Sequence, residues 1–345
     1  MSAPISTIFA NVMTMHANIR FAGAFLLLSG VLASCGNGNS STSPDSTDTT
    51  TSGTINISVD ETFAPIITSQ VDTFEKLYPS AHLQAAYKPE GDAIQDLLTD
   101  KARLAIVPRE LSETERNVFK RINLEPRSIK IGTDGLAIIL HPSNPDTLLT
   151  VAQLRDIFTG KTAEWTQVSG KKKLGTIRVV FDNNNSSTTR FVQDSVTRGA
   201  ALTKQAFAAK SNPALLDYVA THPDAIGVVG VNWISDRDDA TVEKFLERVN
   251  VAALSARASG STPEDYVQPY QGNLAYKKPE LLKAHPDLRN YPLRRDLYVI
   301  SREARAGLGT GFASFAAGNN GQLIIQKSGL MPANVQVRLI ETTTR

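Results

Sequence analysis

The sequence predicts an α/β fold built as two lobes, and three observations carry that reading. From Thr54 almost to the end, short β-rich runs alternate with stretches of helical periodicity, the pattern of parallel sheets with helices on both faces. The chain has 345 residues, more than one ordinary core accommodates and comfortable for two. Polar tips recur where strands give way to helices, the position at which open α/β sheets place their binding loops.

The chain opens on a segment outside that fold. Residues 21–33, FAGAFLLLSGVLA, follow Arg20, the first charged side chain. The run matches the apolar stretch of a signal peptide and is short for a bilayer span, which needs about 20 residues. It ends in Leu32-Ala33-Ser34-Cys35, which resembles a bacterial lipobox. Two small residues admit a peptidase, and the Cys35 thiol is the expected point of lipid attachment. The other reading is an ordinary secretory signal with an incidental cysteine. Translation could also start at Met13 or Met15. Residues 36–53 are dominated by Ser, Thr, Asn, Asp and Gly and cannot bury enough surface to order themselves, so they read as a flexible tether. Residues 1–34 are thus expected to be a lipoprotein signal and 35–53 a disordered tether. With one cysteine in the sequence, neither an intramolecular disulfide nor a Cys-based metal site can form. A formal charge of +2 gives no basic surface suited to nucleic acid.

The elements of the body follow in order. Residues 54–59 form a strand, 65–78 a helix with Ile66, Ile67, Val71, Phe74 and Leu77 at helical spacing, 82–87 a strand, 93–100 a helix and 104–107 a strand. A helix over 111–121 carries a capping box in Ser112 and Glu115. Strands are expected at 128–132 and 136–141. The second stretch shows the same alternation, with a helix over 150–160 stopped by Gly160, a strand at 176–181, helices over 188–199 and 213–223, and a doubly buried strand at 225–231. Residues 254–290 are polar and loop-rich. A strand at 291–300 and two helices close the chain. The chain is expected to cross between lobes near 140 and 291, giving lobe 1 as 54–140 plus 291–345 and lobe 2 as 141–290.

Residues that carry chemistry sit at strand–helix junctions. The richest is TIRVVFDNNNSSTTRF, 176–191. An apolar strand ends at Phe181, a polar loop follows, and Ser186, Ser187 and Thr188 open a helix whose first amides are unsatisfied. Arg190 adds a permanently charged fork suited to a tetrahedral oxyanion. A Ser-capped helix with a surface arginine would read the same way. Further candidates are Glu61, Thr62 and Phe63 after the first strand, Glu90 in Glu90-Gly91-Asp92, and Arg109 in Pro108-Arg109-Glu110.

In this order and spacing, Asp60 to Pro65, Arg109 to Ser112, Asp156 to Lys161 with Trp165, Asp182 to Arg190, Ala225 to Gly227, Tyr291 to Leu293 and Gly321 to Pro332 resemble the periplasmic phosphate-binding proteins of ABC importers, in the lipoprotein form of Bacteroidetes-like bacteria. The resemblance covers Thr54 to Ile340. It implies a type II periplasmic binding-protein fold, two α/β lobes joined by crossing strands that close on phosphate. It also implies delivery to ABC permease subunits, a monomer, no cofactor or metal, and a place on the periplasmic side of the cell envelope, held to the membrane by the lipid. Thr62 and Phe63 match the first-lobe contact of that family, and Ser186, Ser187 and Thr188 match its anion loop, with Arg190 able to serve as the arginine near it.

The sequence departs from the family at three places. Ser187 stands where glycine is common, Glu90-Gly91-Asp92 lacks the expected serines, and Pro108-Arg109 replaces an acceptor aspartate. A carboxylate acceptor admits an oxyanion that keeps a proton and repels one that does not. Among Asp60, Glu61 and Glu90, the expectation falls on Glu61 or Glu90 for that role. The remaining alternatives are a binder of sulfate or molybdate and a surface phosphate sensor without a transport partner. An enzyme is not expected: the sequence has no GxSxG motif, P-loop or metal-spaced histidine cluster.

Overall fold

Strand β1 (Gly53–Asp60) buries Ile55, Ile57 and Val59 on one face and delivers Asp60 and the 3-10 turn Glu61–Phe63 at its carboxyl end. Helix α1 (Ala64–Leu77) follows with Pro65 in its first turn, where a missing N–H costs nothing. Then come β2 (Ala81–Lys88), α2 (Glu90–Leu98), β3 (Leu104–Val107) and α3 (Glu113–Arg121), the last closed by the expected Ser112–Glu115 capping box. β3 shows why the apolar run is a strand buried on both faces. Leu104 and Ile106 enter the core beneath α1, while Ala105 and Val107 enter a second cluster with Ile94 and Leu97 of α2 and Phe119 of α3.

The computed structural model describes residues 48–171, 173–236, 240–257, 261–286 and 289–334, all within one compact unit, Asp45–Arg345. The signal segment 1–34, Cys35 and the tether as far as residue 47 lie outside the described residues. The tether's expected last residues, 48–53, pack on the body. Asp48 pairs with Arg305 and accepts a hydrogen bond from the Leu308 amide at 2.7 Å, so this end of the polar stretch is held by charge rather than by apolar burial.

The chain continues through β4 (Arg127–Leu140), β5 (Leu148–Thr150), α4 (Val151–Phe158), β6 (Arg178–Phe181) and α5 (Ser187–Phe191). It proceeds through β7 (Ala206–Ala208), α6 (Asn212–Thr221), β8 (Ala225–Gly230), α7 (Ala240–Leu246), β9 (Asn250–Val251) and β10 (Ala253–Ser255). The last elements are α8 (Gln271–Leu274), α9 (Pro279–Ala284), β11 (Arg294–Ser301), α10 (Leu308–Ala317), α11 (Asn319–Lys327) and β12 (Met331–Pro332). No helix among the described residues is long and apolar enough to cross a membrane.

The strand order is β2-β1-β3-β11-β4-β8-β6-β7. β1 runs parallel to β2 and β3, and β6 runs parallel to β8 and β7. β4 joins the two lobes by changing partners. Arg127–Gly135 pairs antiparallel with β11, and Leu136–Leu140 pairs antiparallel with β8. The exchange falls between Gly135 and Leu136, ahead of the expected crossing near 140. Tyr291 secures the return, its hydroxyl donating to the Leu136 carbonyl at 2.7 Å.

Two expectations are corrected. The strands expected at 128–132 and 136–141 are one continuous strand. Thr133-Asp134-Gly135 reads as a turn, but Asp134 is fully buried opposite Arg295 of β11. The helix expected over 188–199 is α5 followed by a π-helical turn, Val192–Val196. The segment then leaves helical geometry at Arg198 and Gly199, whose φ angles are +56° and +83°.

Candidate binding site

The carboxyl ends of β1 and β6 face each other beside the crossing strands. Between them lies Arg295, side chain 1% exposed. Strand geometry places it: β11 pairs Arg295 with Asp134 across the ladder. Its Nε donates to Asp134 Oδ2 at 3.0 Å, and Nη1 donates to Ser187 Oγ at 2.9 Å. The guanidinium lies over the Phe63 ring, 4.8 Å from its centroid, a stacking that suits a planar, weakly hydrated cation.

Residues from both lobes converge on this centre. Asp60 caps the 3-10 turn, its Oδ1 accepting from the Thr62 amide at 3.0 Å. Thr62 Oγ1 donates to Asp182 Oδ2 at 3.4 Å and lies 3.5 Å from Ser187 Oγ. The Thr62 carbonyl accepts from Trp233 Nε1 at 2.8 Å. Across the gap, Ser186 caps α5 by accepting from the Thr189 amide, and donates its own proton to Asp182 Oδ1 at 2.6 Å. The local sequence explains the geometry. The apolar β6 ends at Phe181, and Asp182 then turns the chain through the Asn183 amide, presenting Ser186, Ser187 and Thr188 at the start of α5.

Polar atoms left over at this centre define its chemistry. Asp60 Oδ2, Glu61 Oε1, Asp134 Oδ1, Thr188 Oγ1, both side-chain heteroatoms of Asn232, and Arg295 Nη2 are buried without a hydrogen-bond partner, a costly condition for groups that water would otherwise serve. Nη2 does lie 2.9 Å from Asp134 Oδ2, but off the hydrogen-bond line. Close backbone approach at Gly230 keeps the centre tight: a Cβ there would meet Thr62 Cγ2 at 2.7 Å, Asn232 Nδ2 at 2.9 Å and Arg295 Nη2 at 3.3 Å. Burial pushes the Asp60 carboxyl up to about 7, against the attraction of Arg295. Asp134 and Asp182 are raised for the same reason, again with Arg295 opposing. Burial, then repulsion from Asp182, raises Glu61.

Three of the expected ligand contacts, Glu90, Arg109 and Arg190, pair with one another as a clasp. Glu90, side chain 3% exposed, accepts from Arg109 Nε at 2.6 Å. It also accepts from Arg190 Nε and Nη2 at 2.8 and 2.9 Å. Arg109 is further held by both Glu115 oxygens at 2.8 Å, and Arg190 by Asp194 at 3.0 Å. The carboxylate of α2 therefore ties α5 of the other lobe to the Pro108-Arg109 loop. Arg190 is engaged by Glu90 rather than presented as a free fork, and Glu90 has both oxygens engaged.

Of the sequence-read residues, Glu61, Thr62, Phe63, Ser186, Ser187 and Thr188 meet at the centre, while Glu90, Arg109 and Arg190 form the clasp beside it. Sequence reasoning missed Arg295, Asp134, Asp182 as a partner, and Asn232. The one local signal was the charged triplet Arg294-Arg295-Asp296 inside an otherwise apolar strand. Among the described residues, no group of His, Cys, Asp or Glu side chains is placed to hold a metal ion.

The sequence profile of the PBP superfamily domain matches residues 44–320. The phosphate-binding protein PstS of Staphylococcus epidermidis RP62A is 24% identical over 217 residues, 62% of this chain. That match spans 64% of the relative, just under two thirds of its length. The phosphate-binding protein PstS of Pseudomonas aeruginosa PAO1 is 22% identical over 303 residues, covering 83% of this chain and 85% of its own. Among solved structures, a phosphate-bound ABC transporter substrate-binding protein from Clostridium perfringens superposes with a TM-score of 0.64 at 20% identity, over 82% of this chain and all of its own. An ABC-type phosphate transport receptor from Vibrio cholerae superposes with a TM-score of 0.60, also at 20% identity, over 81% of this chain and all of its own.

Proposed function

This chain belongs to the PBP superfamily, and from that premise we propose that it binds inorganic phosphate outside the cytoplasm and passes it to the permease of an ABC importer. The observation that carries the reading is Arg295. It is a buried guanidinium whose Nη2 is ion-paired with Asp134 but makes no hydrogen bond, and its Nη1 donates to the Ser187 hydroxyl of one lobe, which lies 3.5 Å from the Thr62 hydroxyl of the other. A tetrahedral oxyanion placed there gains a charge-assisted contact and donors from both sides. Because those donors come from two lobes, closure binds the anion better than an open form does, and the anion populates the closed state. The names of the Staphylococcus and Pseudomonas relatives support phosphate as that anion. Such a role is one of binding and transport, with no chemical step. Export and a lipid on Cys35 complete the reading, tethering the body to the membrane on the periplasmic side.

Thermal melting of the chain after removal of endogenous ligand tests this. A saturable rise in Tm with phosphate and none with sulfate, molybdate or a neutral sugar is expected, because a ligand that binds only the folded state stabilises it by mass action. A rise with sulfate or molybdate alone would keep the fold and replace the ligand.

A further inference from the structure

We propose that Arg109 and Arg190 form a second oxyanion site that Glu90 occupies from within the chain, and that this built-in carboxylate confines the cleft to a single inorganic phosphate. This rests on the phosphate reading above and adds the class of ligand that the site rejects, phosphates that carry a second anionic group.

The pair is built as an anion site. Arg190, from α5 of one lobe, turns one edge on Glu90, with Nε 2.8 Å from Oε1 and Nη2 2.9 Å from Oε2. That two-toothed geometry serves a carboxylate and a phosphoryl group alike. Arg109, from the other lobe, adds its Nε at 2.6 Å. Each arginine is also held from its far side. Glu115 grips the remaining edge of Arg109 through both oxygens at 2.8 Å, and Asp194 takes Nη1 of Arg190 at 3.0 Å. With the Glu90 carboxylate removed, three N–H groups would still be aimed at one buried spot, where that side chain is 3% exposed.

The occupant is delivered by the fold. Glu90 is the first residue of α2, whose Ala93, Ile94 and Leu97 are buried in the second cluster, so its carboxylate arrives at a fixed place. An attached group competes at an effective concentration in the millimolar range or above, and a free anion has to displace it to reach the arginines. The spot adjoins the phosphate centre. Arg190 follows Ser187 by about one turn of α5, and the Glu90 charge is felt at Asp60. A phosphate whose second anionic group points this way meets a carboxylate with its arginines already engaged, and the like charges repel. Inorganic phosphate brings no such group. A serine, the residue type expected here from the family resemblance, carries no charge and would leave both guanidiniums facing the cleft.

Isothermal titration calorimetry of the full chain with inorganic phosphate, diphosphate and phosphoglycolate tests this. The unaltered chain is expected to prefer phosphate over the other two by at least about a hundredfold, the scale of one unrelieved like-charge contact. Glu90→Ala is expected to reduce that preference at least about tenfold, by tightening diphosphate or phosphoglycolate relative to phosphate. Formate, a free carboxylate that fits the vacated place, is expected to restore the preference in that variant. A preference unchanged by Glu90→Ala, or an equal weakening of all three ligands, overturns the proposal while leaving phosphate as the ligand and Glu90 as a clasp alone. Equal affinity of the unaltered chain for phosphate and diphosphate overturns it without any variant. Absence of phosphate binding by the unaltered chain removes the phosphate reading and this proposal with it. If Glu90→Ala does not fold, Glu90→Ser is read in the same way, and the affinities of the unaltered chain still decide.

Discussion

Arg295 and Asp134 are each removed from solvent, with side chains 1% and 0% exposed, so neither charge has water to fall back on. Arg295→Ala is expected to cost about 3–5 kcal/mol, because it strands a buried carboxylate, and to abolish the rise in Tm with phosphate. Urea titration and melting with and without phosphate check both. Replacing the pair together, Arg295→Met with Asp134→Leu, is expected to recover much of the stability and none of the phosphate response. Asp60 gives a pH dependence whose sign can be worked out. Its folded-state pKa is raised to about 7 by burial, so the folded chain keeps a proton that the unfolded chain releases at lower pH. Stability from this group therefore falls as pH rises from about 4 to about 7. Ligand-free Asp60→Asn is expected to gain on the unaltered chain at about pH 8 relative to about pH 5 in chemical denaturation. Glu115 works in the opposite sense. Burial would raise it, but the Arg109 hydrogen bonds and the Ser112 amide hold it at about 2. Its contribution is present at neutral pH and is lost as pH falls toward that value.

Helix α5 depends on two devices that act at its start and on its flank. Ser186→Ala removes the cap and the donor to Asp182 together, and is expected to cost about 1–2 kcal/mol by denaturant titration. On the flank, Arg190 binds Glu90 of α2, the ion pair that ties the lobes. Arg190→Ala is expected to enlarge the ligand-free chain in small-angle scattering and weaken phosphate several-fold. An unchanged scattering profile would show that the clasp does not hold the lobes together. The elements themselves were legible because β1 buries apolar side chains in alternation while β3 and β8 are short continuous apolar runs, both local signals in the sequence. Thr133-Asp134-Gly135 misled because its composition is that of a turn, while a partner from β11 makes it the middle of a strand. The centre of the site was hidden for a related reason. Arg295 and Asp134 lie 161 positions apart, and no local pattern records a pairing made at that distance. Ser186 to Thr188 could be read because caps are local. The pairing of Arg190 with Glu90 could not be read, because the two lie 100 positions apart.

The whole molecule closes through contacts a few atoms wide. Gly230 ends β8 where Thr62 of the opposite lobe comes nearest, and a methyl group there would sit 2.7 Å from Thr62 Cγ2. Gly230→Ala is expected to wedge the lobes apart, sharply reducing the phosphate-dependent rise in Tm while leaving far-ultraviolet circular dichroism unchanged. An undiminished rise would show that the contact yields easily. The same junction has an optical consequence. The chain has two tryptophans. Trp165 is fully buried and donates to the Asp224 carbonyl within its own lobe. Trp233 donates across the gap to the Thr62 carbonyl. When the lobes part, the first indole keeps its surroundings while the second loses its partner and meets water. Native emission should then shift to the red in proportion to the open fraction, so the protein carries its own fluorescent gauge of hinge position, readable in a stopped-flow cell without dye or label.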